Sequence, residues 1–99
     1  MKERLALDYQ GIESNLYRVS LSNHILEEVG SIEYIGLINK GPLEVGQAVV
    51  SIEADKASIE LAIDFAGEIL EVNDAVFSDP SLLTTSSDNH SWLFIFKRY

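Results

Sequence analysis

The sequence predicts an all-β fold with one or two short helices, on three observations. Apolar runs are short, most alternate at a period of two, and turn-forming residues interrupt them at close intervals. Only one stretch adopts a helical period. The 99 residues contain no linker, low-complexity tract or long repeat, so a single domain over 1–99 is expected. A chain of this length buries roughly two-thirds of the surface it exposes when unfolded.

Leu5, Leu7 and Tyr9 alternate ahead of Gly11, and Tyr17, Val19 and Leu21 alternate next, giving two half-buried strands. The period then changes. Ser22 or Asn23 can cap a short helix whose buried side is Ile25, Leu26 and Val29, with Gly30 as its stop. Ile32, Tyr34 and Ile35 begin another strand, and Gly41-Pro42 marks a turn. Val49-Val50-Ser51-Ile52 leads to a turn near Lys56, after which Ile59, Leu61 and Ile63 alternate with Glu60 and Ala62. Gly67 punctuates, Ile69-Leu70-Glu71-Val72 resumes, and Asn73-Asp74 turns again. Ser78 to Ser91 is polar, with one helical turn at Leu82 and Leu83 behind Asp79-Pro80. Trp92-Leu93-Phe94-Ile95-Phe96 reads as a final buried strand, its aromatics serving the core.

Charge narrows the function. Sixteen acids oppose seven bases, for a net charge of −9. Such a surface repels phosphate backbones, so nucleic acid is not an expected partner. It is steered instead toward basic patches on other proteins. No run approaches the ~18 apolar residues of a membrane span. The start, Met1-Lys2-Glu3-Arg4-Leu5, has the character of neither a secretory signal nor a transit peptide. Cysteine is absent, which excludes disulfides and thiolate zinc sites and agrees with a cytoplasmic location. His24 and His90 are the only histidines, so no metal site is expected, and no Gly-x-Ser-x-Gly context supports a catalytic triad.

One residue stands apart. Lys56 is the only lysine or arginine between Gly41 and Phe96, and it falls where the chain should reverse. Gly46 lies ten residues before it and Gly67 eleven after, each ahead of an apolar strand. The segment therefore reads as two similar halves folded about a hairpin with Lys56 at its apex. Ala54 and Ala57 leave the side chain unwalled, and Asp55 suits a turn. A lysine that must enter the active sites of several enzymes needs a rigid mount, because fixed geometry limits the ordering cost of each docking. Schiff-base lysines are activated by burial or a neighbouring cation. Here the neighbours are the carboxylates Glu53, Asp55 and Glu60, so this lysine should need an enzyme to acylate it. The plainer alternative is an exposed hairpin that carries Asp-Lys incidentally.

Glu53-Ala54-Asp55-Lys56-Ala57 resembles the lipoyl attachment motif of 2-oxo-acid dehydrogenase acyltransferases, whose common core is Asp-Lys-Ala. The wider chain, from about residue 16 to 97, is more similar to the H protein of the glycine cleavage system. Ser22-Asn23-His24 and Val29-Gly30-Ser31-Ile32 resemble that family's Thr-Asp-His and Leu-Gly-Asp-Ile. Glu53 and Ser58 fit its Glu-Ser-Val-Lys-Ala and Ser-Asp-Leu, and Gly67-Glu68-Ile69-Leu70-Glu71-Val72-Asn73 fits its Gly-Glu-Val-x-x-Val-Asn. Asp79-Pro80-Ser81-Leu82-Leu83 is similar to Asn-Pro-Glu-Leu-Val, and Trp92-Leu93 falls at the spacing of its Gly-Trp.

The resemblance implies a barrel-sandwich hybrid, the fold of lipoyl and biotinyl carriers, with lipoate attached covalently to Lys56. It implies that Glu53, Asp55 and Ala57 belong to the attachment motif, that Glu60 helps to hold a loaded amine, and that His24 lies near the arm's groove. It further implies a carrier without catalytic residues of its own, a monomer that shuttles an aminomethyl or similar group. Its partners would be a lipoate-attaching enzyme, glycine decarboxylase, aminomethyltransferase and dihydrolipoyl dehydrogenase, or analogous clients. The chain departs from the family in lacking a His-x-Trp start and in having Asp64-Phe65-Ala66-Gly67 for Ala-Pro-x-Ser-Gly. Ser87-Asp88 replaces Pro-Tyr, and Ser91 replaces the glycine before the tryptophan. The alternatives are an H-like carrier for another lipoate pathway, a biotin-type carrier and an unmodified interaction module. The biotin alternative is weakened because biotin acceptors flank the lysine with methionines.

Overall fold

A computed structural model describes residues 6–83 and 92–99. The chain runs β1 (Leu7–Glu13), β2 (Leu16–Leu21), α1 (Asn23–Val29), β3 (Ile32–Leu37), β4 (Pro42–Leu43) and β5 (Ala48–Ala54). It continues through β6 (Ser58–Ala62), β7 (Gly67–Val72), α2 (Asp74–Ser78), a 3-10 turn at Pro80–Leu82 and β8 (Trp92–Arg98). A five-stranded sheet, ordered β1-β2-β8-β7-β4, faces a three-stranded one, β3-β5-β6, and the neighbouring strands pair antiparallel.

Alternation explains the core. Val19 and Leu21 of β2, Phe94 and Phe96 of β8, and Val50 and Ile52 of β5 point inward and are almost fully buried, as are Leu7, Val49, Ile63 and Val76. Phe94 and Phe96 meet edge to face at 6.3 Å. Trp92 is half-buried, and its carbonyl accepts a 2.9 Å bond from Asn73 Nδ2. The expected helix forms as the pattern dictates, with Ile25, Leu26 and Val29 buried and Gly30 at its end. The Ser22 side chain makes no cap bond to the backbone. Its carbonyl instead accepts the Ile25 and Leu26 amides.

Four local expectations are corrected. Gly11 does not end β1, which runs on to Glu13 through a bulge; the chain reverses at Ser14-Asn15, where Asn15 takes φ 64°. Pro42 opens the short strand β4 against β7, as suits a residue without an amide at a sheet edge. Gly67 lies within β7, where a Cβ would collide with the Lys97 carbonyl and the Phe96 ring. Asp74 begins α2, which buries Val76. The 3-10 turn beyond it appears as expected, with the Asp79 side chain accepting the Ser81 amide. Leu5, Ser87, Asp88, His90 and Ser91 lie outside the described residues.

The departure at residues 64–66 has a structural counterpart. Tyr9 Oη donates to Asp64 Oδ2 at 2.8 Å and accepts the Asp64 amide at 3.0 Å. Phe65 packs edge-on to Tyr9, and the Arg98 guanidinium sits 4.2 Å above its ring. These contacts fasten the β6–β7 corner to the first and last strands.

Candidate functional site

β5 and β6 pair directly, with Ile52 opposite Ile59 and Glu53 opposite Ser58. In the other sheet Leu43 of β4 stands opposite Gly67 of β7, a pair centred on Asp55. The inferred symmetry about Lys56 is therefore a pairing symmetry. The two glycines differ in role, since Gly46 takes φ 88° and Gly67 makes room for β8.

The apex is Asp55-Lys56, closed by a 2.9 Å bond from the Ala54 amide to the Ala57 carbonyl. None of its residues takes a positive φ, unlike the primed turns that two-residue hairpins favour. The bracing comes from outside the hairpin. The Asp55 amide donates to the Ser31 carbonyl at 2.8 Å, and the Lys56 amide to the Val29 carbonyl at 2.9 Å. Gly30 lies between those two carbonyls with φ 79° and ψ −146°. A Cβ there would come within 3.3 Å of Asp55 Cβ and 3.4 Å of Lys56 Cγ. The end of α1 thus forms a seat for the turn that only glycine fits.

Lys56, Asp55, Glu53 and Glu60 are exposed, while Ala57 is half-buried. Glu53 and Glu60 share the outer face of the three-stranded sheet with Ser51 and Ser58, around a shallow depression of about 370 Å³. His24 sits in the first turn of α1, half-buried, its Nδ1 3.0 Å from Ser22 Oγ. The sequence reading missed Val29 and Ser31 as braces, because their contribution is through backbone carbonyls. Gly30, expected as a helix stop and as part of the Val29-Gly30-Ser31-Ile32 resemblance, also underlies the turn. The sequence reading placed Tyr34 in a strand without its outward orientation, in which it is 52% exposed opposite Glu53.

A two-sheet β fold that offers one lysine at the apex of a braced hairpin is the architecture of a prosthetic-group carrier. The glycine cleavage H-protein family model matches residues 7–98. The glycine cleavage system H protein of Prochlorococcus marinus (strain MIT 9515) is 33% identical over 91 residues, covering 91% of this chain and 70% of that protein. That of Thermotoga maritima is 31% identical, covering 88% and 71% respectively. A glycine cleavage system H-like protein of Staphylococcus aureus is 28% identical, over 81% and 73%. The crystal structure of the Mycobacterium marinum H protein superposes with a TM-score of 0.77 at 23% identity, over 90% of this chain and 71% of that one, a likeness of fold. The chain belongs to the glycine cleavage H-protein family and is a lipoyl carrier of that kind.

Proposed function

We propose that Lys56 is the lipoylated residue and that the chain is a single carrier domain shuttling an aminomethyl or similar group between client enzymes. The observation that carries this reading is the seat at the hairpin apex. Backbone bonds from the Lys56 and Asp55 amides to the Val29 and Ser31 carbonyls, with the missing side chain of Gly30, fix the turn, while the Lys56 side chain stays exposed. A rigid mount with a free amine fits covalent attachment of a long acyl arm, because little conformational freedom is lost when a ligase or client docks.

When bound, lipoate supplies a dithiolane that accepts and releases the carried group, chemistry that belongs to the cofactor. The chain's own residues supply the rest. Glu53 and Asp55 mark the turn for the lipoate-attaching enzyme, Ala57 leaves the approach open, and Glu60 faces the side on which a cationic load can rest. His24, at the far end of α1 from Val29, completes the set as a residue of the arm's surroundings. The clients in this reading are glycine decarboxylase, aminomethyltransferase and dihydrolipoyl dehydrogenase or their analogues, met by a cytoplasmic monomer. Among the described residues no helix is long and apolar enough to cross a membrane.

The test is intact-mass measurement after incubation with a lipoate ligase, lipoate and ATP. One lipoyl increment on the parent and none on Lys56→Arg supports the reading. No increment on the parent with a ligase proven on a control acceptor contradicts it.

A further inference from the structure

We propose that the cleft between β3 and α2 binds a free α-amino acid as its zwitterion, one with a medium-sized apolar side chain. The cleft has a volume of about 290 Å³ and shares no lining residue with the depression beside Glu53 and Glu60. Sites for drug-sized ligands run from ~300 to 1,000 Å³, so this one suits a smaller molecule. Val72 and Phe77, both half-buried, give it an apolar lining, and the exposed Tyr34 stands on the β3 side. Lys40 lines it from beyond the end of β3, and Asp74 from the first turn of α2.

Hydrogen-bonding capacity is left over on the β3 side. Ladder bonds in an antiparallel pair alternate, so every second residue of an edge strand turns its N–H and C=O away from its neighbour. The Ile38 amide donates to the Val49 carbonyl at 2.8 Å, which assigns Ile38, Gly36 and Tyr34 to the ladder with β5. Leu37 therefore turns its amide and carbonyl to the other side, where β3 has no neighbour in its sheet, and Leu37 lines the cleft. Among the described residues these two groups have no partner, and neither Lys40 nor Asp74 has an ion pair.

Each part of an amino acid finds a counterpart there. Its carboxylate accepts from the Leu37 amide and the Lys40 ammonium, and its own ammonium donates to the Asp74 carboxylate and the Leu37 carbonyl. The apolar side chain covers Val72 and Phe77, removing their surface from water. A ligand of a single charge is attracted by one of Lys40 and Asp74 and repelled by the other, so the pair selects a zwitterion. Exposed charge pairs are weak, and the expected affinity is millimolar.

The experiment follows amide NMR shifts of the whole chain, at fixed pH and ionic strength, as leucine is added to about 50 mM. Saturating shifts are expected at Leu37, Lys40, Asp74 and Phe77. Leucinamide lacks the carboxylate and 4-methylpentanoate lacks the ammonium, and each should bind roughly fivefold more weakly, the loss of one exposed charge pair. Lys40→Gln and Asp74→Asn, both at exposed positions, should each lose about as much affinity for leucine. Shifts that do not saturate, or that fall away from the cleft, overturn the proposal. Equal binding of the three probes overturns it too, since the cleft would then be indifferent to charge, as does unchanged leucine affinity in either variant. The outcome is independent of whether Lys56 carries lipoate.

Discussion

Gly30 carries two constraints at one position. Its φ of 79° with ψ −146° lies near a region that is almost confined to glycine, and its Cα faces the Asp55 and Lys56 side chains. Gly30→Ala is expected to destabilise the fold by about 1–3 kcal/mol, measured by urea unfolding. It should also slow ligation at Lys56 even where the protein remains folded, because the seat of the turn is displaced. An unchanged ligation rate would show that the brace is irrelevant to presentation. Tyr9 makes a second residue-scale prediction. Burial, and then the hydrogen bond to Asp64, push its phenol well above the ordinary value of 10.0. The unfolded chain loses that proton first, so the Tyr9 contribution is complete below about pH 10 and fades as pH rises beyond it. Tyr9→Phe should be less stable at neutral pH by about 1–2 kcal/mol, leaving the Asp64 amide without its phenol acceptor. The gap from the parent should narrow above pH 10, as unfolding at several pH values will show.

Among the elements, β7 and β8 meet at Gly67 with no room for a Cβ. A side chain at Gly67 meets backbone as well as a ring, so Gly67→Ala cannot be relieved by a rotamer change. Overpacking of this kind costs about 1–3 kcal/mol, and a midpoint unchanged in urea would contradict the packing described. Strand character was legible wherever one face is wet and one dry, as in β2, β5 and β6, because alternation records that asymmetry. α1 was legible from Ile25, Leu26 and Val29 and from its glycine stop. α2 was not, since five residues with one buried Val76 give too little period to read. Gly11 misled because a glycine can sit in a bulged strand as easily as it can end one. The apex lysine could be found from its isolation among acids. Its braces could not, because Val29 and Ser31 accept through carbonyl oxygens that every residue has.

Viewed whole, the molecule joins a sealed core to a carboxylate-rich face around its apex. Phe94 and Phe96 anchor that core from the centre of the larger sheet. Phe94→Ala should cost about 3–5 kcal/mol, read by thermal or urea unfolding. The net charge of −9 acts at longer range. Encounter with basic client surfaces should slow as salt rises and the Debye length shrinks from ~10 Å at 0.1 M. Stopped-flow association at two ionic strengths would detect it.

The most direct test of the central claim is to locate the lipoyl group by peptide mapping of the ligase-treated protein. It is expected on Lys56, within the segment from Glu53 to Glu60, and on no other lysine. A lipoyl group found on Lys40 or Lys97 instead would contradict that claim.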